Sequence, residues 1–267
     1  WDLFRYPGIR SDSDMFTLGY SFKPWVEAKA IADGPRILNY VRETAAENGI
    51  DKNIRFHHRV RRASWSTPEA RWTVEVERIS GEGGTEIVRF TCNFLFMCSG
   101  YYKYEEGYTP EFAGRDDFAG RIVHPQKWTD DIDYAGKRVV VIGSGATAVT
   151  LVPEMAKTAA HVVMLQRSPS YVLARPAGDA VADALRRVLP ARMAHGAARW
   201  KNVLLGALFY RLCKKKPEKA KKFIRHYVKA GLGRDYDIAR HFEPRYNPWE
   251  QRLCIVPDGD LFKAISD

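Results

Sequence analysis

The chain has 267 residues and a formal net charge of +10. That length supports one large domain or two modest ones, and no apolar run is long enough for a bilayer-spanning helix. The four cysteines, Cys92, Cys98, Cys213 and Cys254, lack metal-ligand spacing, so no metal centre is expected.

The first residue is Trp rather than Met, so the chain reads as a fragment whose targeting signals cannot be judged from this end. Residues Trp1 to Asp12 show neither helical nor strand period. Pro7-Gly8 marks a turn in this loop, which is rich in Trp, Tyr and Arg and ends in an Asp. Such side chains on a loop either face a ligand or anchor it to a core. Pro35 to Asn48 predicts a helix with an apolar stripe of Ile37, Leu38, Val41 and Ala45, ended by Gly49. Ile54 to His57 predicts a short strand leading to Val60. On it His57 and His58 point to opposite faces and cannot share a simple metal site. Trp72 to Val76 alternates like a half-buried strand, Gly81 to Gly84 reads as a hairpin turn, and Ile87 to Phe90 as the return strand. The apolar run from Phe90 to Cys98 predicts a buried strand, with Cys92 and Cys98 as buried thiols that suit a reducing cytoplasm. A bridge, Phe118 to Trp128, follows. Its His124 reads as a packing histidine, with hinge and catalytic base as alternatives.

Val139-Val140-Val141-Ile142 predicts a buried parallel strand, and Gly143-Ser144-Gly145-Ala146-Thr147-Ala148 a tight turn into a helix through Val149. Gly143 supplies the turn, Gly145 leaves room for a pyrophosphate, and Ala148 lets helix and strand approach closely. The helix N-terminus presents free N–H groups to phosphate. His161 to Leu165 reads as the next strand, ending in Gln166-Arg167-Ser168-Pro169. A site for NAD wants a carboxylate there. Arg167 and Ser168 instead suit the 2′-phosphate of NADP.

Beyond Pro176 the pattern turns helical over Ala180–Leu189, Met193–Cys213 and Glu218–Ala230. Much of the positive charge lies here, in Lys214, Lys215, Lys216, Lys219, Lys221 and Lys222. No nucleic-acid module accompanies it, so a solvated helix face is the first expectation and peripheral contact with anionic lipid the alternative. Tyr246 to Cys254 forms a second aromatic loop with an embedded Arg252.

Together these pieces resemble the Baeyer–Villiger monooxygenases of the flavin-containing monooxygenase superfamily. Phe118, Gly120, His124 and Trp128 match that family's Phe-x-Gly-x-x-x-His-x-x-x-Trp fingerprint. Trp1 to Asp12 matches its Trp…Arg-Tyr-Pro-Gly-x-x-x-Asp loop. The opening loop and the Tyr246–Cys254 loop are similar to those of its ethionamide-activating branch. The resemblance implies FAD and NADP as cofactors. It also implies O2 as co-substrate and insertion of oxygen beside a ketone carbonyl, or oxygenation of sulfur, through a C4a-peroxyflavin.

At matching positions the resemblance places Trp1, Asp2 and Leu3 along the FAD and Val60 by its adenine. Arg10, Ser11 and Asp12 lie on the nicotinamide side, and Arg252 and Asp12 form a catalytic pair. Gly143, Ser144, Gly145, Ala146, Thr147, Ala148, Val149, Arg167 and Ser168 hold NADP. The fingerprint belongs to a linker that couples domain motion to catalysis. Two departures follow. Gln251 stands where many relatives carry Lys, and the glycine loop for the FAD pyrophosphate is missing, so this polypeptide is expected to hold FAD poorly and to show little activity. The expected fold is α/β, with two Rossmann-like dinucleotide-binding domains, the FAD domain incomplete, and a helical insertion in the NADP domain. The expected division is a partial FAD domain over 1–117, a linker over 118–135 and an incomplete NADP domain over 136–267, with the insertion at about 177–240. Alternatives are an N- or S-oxygenating flavin monooxygenase without Baeyer–Villiger activity and a non-catalytic NADP-binding module.

Overall fold

A computed structural model describes every residue from Trp1 to Asp267 except Ser80 and Glu82. The expected turn over Gly81–Gly84 includes Glu82 and so falls partly outside the described residues. The chain divides into two compact units, one of residues 1–41 with 106–267, the other of residues 42–105.

The smaller unit is built on an antiparallel sheet in the order β1 (His58–Ser66), β2 (Arg71–Ile79), β3 (Thr85–Cys92). The alternation legible in β2 buries Val74 and Val76 on one face. A bulge interrupts the β1–β2 register between Val60 and Arg62. Two expectations are corrected here. No strand forms over 54–57, because a 3-10 turn (Asp51–Asn53) precedes it and His57 takes a left-handed φ of 58°, which extended strand cannot accommodate. The strand expected up to Cys98 ends at Cys92. Among the described residues no strand pairs with 93–98, so Phe94, Phe96 and Met97 are exposed, as is the Cys98 thiol, and Cys92 is only half-buried.

The larger unit opens with the loop and a one-turn helix, α1 (Met15–Leu18), capped by Asp14, whose carboxylate accepts from the Thr17 N–H at 2.9 Å. Helix α2 (Gly34–Glu47) follows, and the boundary between the units falls within it. Strand β4 (Arg138–Ile142), helix α3 (Ala146–Met155) and strand β5 (His161–Leu165) form a βαβ element in parallel register, Arg138 opposite His161 and Ile142 opposite Leu165. Of the β4 residues only Val141 is buried. Val140 and Ile142 are exposed because α3 covers one face alone, which corrects the expectation of a strand buried on both.

Strand β6 (Tyr171–Arg175) leads into four helices, α4 (Ala180–Val188), α5 (Ala191–Lys215), α6 (Pro217–Leu232) and α7 (Ile238–Phe242). The chain then returns as β7 (Leu253–Pro257), parallel to β6, and ends in α8 (Asp260–Ser266). The principal core joins Val141 and the buried face of α3 to Val172, Ile224, Val228, Val256, Leu261 and Phe262. A second core gathers Phe16, Trp25, Ile37 and Tyr40 with Ala182 and Ala198. It binds the opening segment to α4 and α5.

Candidate functional site

The glycine turn after β4 takes its shape from two glycines with different reasons. Gly143 has φ +132°, a conformation L side chains rarely adopt, and its N–H donates to the Leu165 carbonyl at 2.8 Å. A Cβ on it would stand 4.0 Å from the Ala148 Cβ, so the small Ala148 keeps strand and helix close. Gly145 has an ordinary φ of −86° as the N-cap of α3. A Cβ there would point at the Arg252 side chain, 3.7 Å from its Cδ. Gly145 is therefore a matter of space rather than backbone. The first-turn amides of α3 lack intrahelical partners by helix geometry and form an anion-binding end.

Ser144 ties this turn to the end of β5. Its hydroxyl donates to the Ser168 carbonyl at 3.1 Å and shares a hydrogen bond with the Ser170 hydroxyl at 3.1 Å. Gln166 donates to the His241 carbonyl at 2.9 Å, which fixes the same segment from the other side. Between them lies an open cleft of about 460 Å³ lined by Ser144, Gly145, Arg167, Ser168, Pro169, Ser170, Tyr246, Gln251 and Arg252. The lining holds two guanidiniums and three serine hydroxyls and no carboxylate. Such a set receives an anion and lacks the carboxylate that would accept from both hydroxyls of a ribose diol.

Arg252 reaches this cleft from a pre-formed loop. The Asn247 amides, backbone and side chain, donate to the Glu250 carboxylate at 2.9 and 2.8 Å and hold that carboxyl below its usual range. Trp249 takes a left-handed φ of 67° and packs edge-on against Tyr210 at 6.1 Å. The buried Tyr171 hydroxyl donates to the Tyr246 carbonyl at 2.8 Å, and burial with nearby negative groups pushes its pKa up to about 12. The loop is thus hooked to β6.

The other anticipated residues fall as follows. Arg10 forms a two-pronged ion pair with Asp260 at the start of α8. Ser11 is buried, and its hydroxyl accepts from the Ala32 N–H at 3.0 Å. Asp12 is exposed and, among the described residues, makes no ion pair with Arg252. Both charges are nonetheless felt at the buried Cys254 thiol, which burial pushes up, Arg252 pulls down and Asp12 raises further. Tyr6 packs against the principal core, and a Cβ on Gly8 would lie 3.0 Å from the Glu154 Cβ and 3.2 Å from the Thr150 carbonyl oxygen, so the opening loop rests directly on α3. Trp1 packs beside Gly34 and Leu3 is exposed. Asp2 is also exposed, and its carbonyl accepts from Arg5 at 3.0 Å. Val60 is exposed at the β1 bulge of the smaller unit.

The fingerprint residues have packing reasons. A Cβ on Gly120 would stand 2.5 Å from the Phe118 ring, which folds over it. The His124 ring occupies the space a Cβ on Gly107 would need, and its Nδ1 accepts from the Gln126 N–H at 3.2 Å. Trp128 lies edge-on to Tyr134 at 6.0 Å, against the principal core. Ser170 and Tyr246 are site residues that sequence reasoning missed. A second hydroxyl two residues after Ser168, in Ser-Pro-Ser, was the available signal for the first.

The sequence profile described as FMO-like, flavin-binding monooxygenase-like, matches residues 20–200. The FAD-containing monooxygenase EthA of Mycobacterium tuberculosis (strain H37Rv) is 57% identical over 266 residues, 99% of this chain and 53% of that protein. The chain therefore spans about half the length of the curated relatives it matches. Among solved structures, an oxidized steroid monooxygenase bound to NADP superposes with a TM-score of 0.73 at 24% identity, over 100% of this chain and 57% of its own. OTEMO in complex with FAD and NADP gives 0.69 at 21% identity, over 98% of this chain and 56% of its own. These two share the Rossmann-type α/β fold. The chain belongs to the FMO-like family of flavin-binding monooxygenases.

Proposed function

We propose that this chain carries the NADP-binding part of a monooxygenase that uses FAD, NADPH and O2 to insert oxygen beside a ketone carbonyl or to oxygenate sulfur. One observation carries the reading: the cleft beside Gly143–Ala148 holds Arg167, Arg252 and three serine hydroxyls without a carboxylate. The residues fit NADP. The turn and the N-terminus of α3 suit the pyrophosphate, and Arg167 with Ser168 and Ser170 suits a 2′-phosphate. For FAD the fit is partial, because Gly143–Ala148 is the single strand–turn–helix glycine motif among the described residues. Trp1, Asp2, Leu3 and Asp12 are the residues it would meet in this unit.

When bound, the nicotinamide and flavin supply hydride transfer and oxygen activation. The chain's own residues bind and orient. Arg252, permanently charged, stabilises negative charge developing near the reacting oxygen, and Asp12 balances its field. The Tyr246–Arg252 loop sets where that guanidinium stands. The test is nucleotide selectivity, with NADPH and NADH titrated against the chain. NADPH binds more tightly, and Arg167→Ala narrows the gap by about 10- to 100-fold, the worth of one or two charge-assisted hydrogen bonds. Equal affinities in the unaltered chain would overturn the reading.

A further inference from the structure

The fully buried positions of helix α5 are small or polar: Ala194, His195, Ala198, Asn202 and Cys213. Val203, Phe209 and Leu212 are half-buried, Phe209 against the principal core. Further large apolar side chains lie on the outward face. Met193 is 60% exposed, Trp200 66%, Leu204 57% and Leu208 60%, and they recur at helical spacing over four turns. Leu205 is exposed as well, and on the neighbouring α6 so are Phe223, whose ring lies 5.9 Å from that of Phe209, and Tyr227 beside it. A contiguous apolar stripe of this kind marks a surface for a partner.

The charges say which partner. Helix α5 contains no acidic residue and six basic ones. Arg199 donates to the carbonyls of Phe16 and Gly19, and Lys201 pairs with Asp179, so both serve the fold. The others stay outside. Arg211 and Lys215 continue the line of the stripe, and Lys214, Lys216, Lys219 and Lys222 crowd the junction with α6, all exposed. A second copy would set this cationic face against itself. A nucleic acid would have no use for the stripe. An apolar strip with an aromatic residue and a lysine-rich end is the composition of a helix lying in the interface of an anionic membrane. No helix among the described residues is long and apolar enough to cross a membrane.

We propose that the outer face of α5, with the adjoining edge of α6, docks this protein peripherally on anionic lipid bilayers. Trp200, Leu204 and Leu208 enter the headgroup boundary, and Lys214, Lys215, Lys216, Lys219 and Lys222 contact the lipid phosphates.

The test is sedimentation of the full chain with vesicles of phosphatidylcholine alone or mixed with phosphatidylglycerol. Binding to the mixed vesicles alone is expected, and it weakens in 1 M salt as the charges are screened. Lys214→Gln with Lys215→Gln lowers partitioning by about thirtyfold, and Leu204→Gln with Leu208→Gln by about tenfold or more. All four side chains are outward, so both pairs should unfold at the temperature of the unaltered chain, which separates lost docking from lost fold. Two outcomes overturn the proposal. One is absent or charge-indifferent vesicle binding. The other is a concentration-dependent dimer that Leu204→Gln abolishes, which would assign the face to a second copy.

Discussion

The Tyr246 hydroxyl donates to the backbone carbonyl of Arg252 at 2.8 Å, so the residue that begins the second aromatic loop also fixes where its arginine leaves the backbone. Tyr246→Phe keeps the ring, its edge-on contact with Tyr171 at 5.3 Å and nearly all the packing. It removes one hydrogen bond, worth about 0.5–1.5 kcal/mol. NADPH affinity should fall about three- to tenfold with little change in melting temperature. An unchanged affinity by calorimetric titration would show that the loop holds Arg252 without this bond.

The two glycines of the turn should fail in opposite ways. Gly143→Ala forces an L side chain to φ +132° and costs about 1–3 kcal/mol of stability, read as a lower urea midpoint. Gly145→Ala meets only an ordinary 3.7 Å contact with Arg252 at a φ of −86°, so stability holds while nucleotide binding is lost. Equal destabilisation by both variants would contradict the separate roles.

His195 should make the fold acid-sensitive. The residue is 4% exposed, its Nδ1 accepts from the Trp25 N–H at 3.2 Å, and its buried Nε2 has no partner among the described residues. Burial, with the Arg199 charge adding to it, pushes its pKa below the ordinary 6.5. Below about pH 6.5 the unfolded chain therefore binds a proton that the folded chain refuses, and stability falls. His195→Asn keeps an acceptor near the Nδ1 position and removes the titration. The loss of urea midpoint from pH 7.5 to 5.5 should be larger in the unaltered chain than in this variant. Equal losses would clear His195.

Gly107→Ala tests the packing reading of the fingerprint histidine. The new methyl would overlap the His124 ring, 2.0 Å from Cε1, and the ring must swing away from the Gln126 N–H. A cost of about 1–3 kcal/mol follows from this overpacking. Unchanged stability would mean that His124 moves freely and would favour a hinge.

What the sequence made legible was local. The β4–turn–α3–β5 element, the guanidinium at its far end and the helices beyond Pro176 all depend on short-range pattern. What it hid depends on neighbours. Residues 93–98 look like a core strand, but a strand needs a partner ladder, and none pairs with them among the described residues. Val140 and Ile142 have their ladder with β5 but are exposed because α3 covers one face alone. The cleft was half legible. Arg167 sits at a fixed offset from the glycines, whereas Tyr246 and Arg252 arrive from the far side of the helical insertion, through a pairing of β6 and β7 that no spacing announces.

That pairing has a consequence for how the chain can change over time. Strand β6 ends at Arg175 opposite Pro257 of β7. The junction is stitched on both sides: the Asp258 N–H donates to the Arg175 carbonyl at 2.7 Å, and the Asp258 carboxylate accepts from the Ala177 N–H at 2.9 Å. The chain leaves this parallel pair at the end of β6 and re-enters it along β7. The cost of closing a loop there grows only with the logarithm of its length. Loop closure thus sets no tight limit on the length between β6 and β7, and packing sets it instead: Ala182, Ala198, Ile224 and Val228 must keep their places in the two cores, while the outward positions of α4–α6 can change, provided the returning strand still delivers Arg252 beside Gly145.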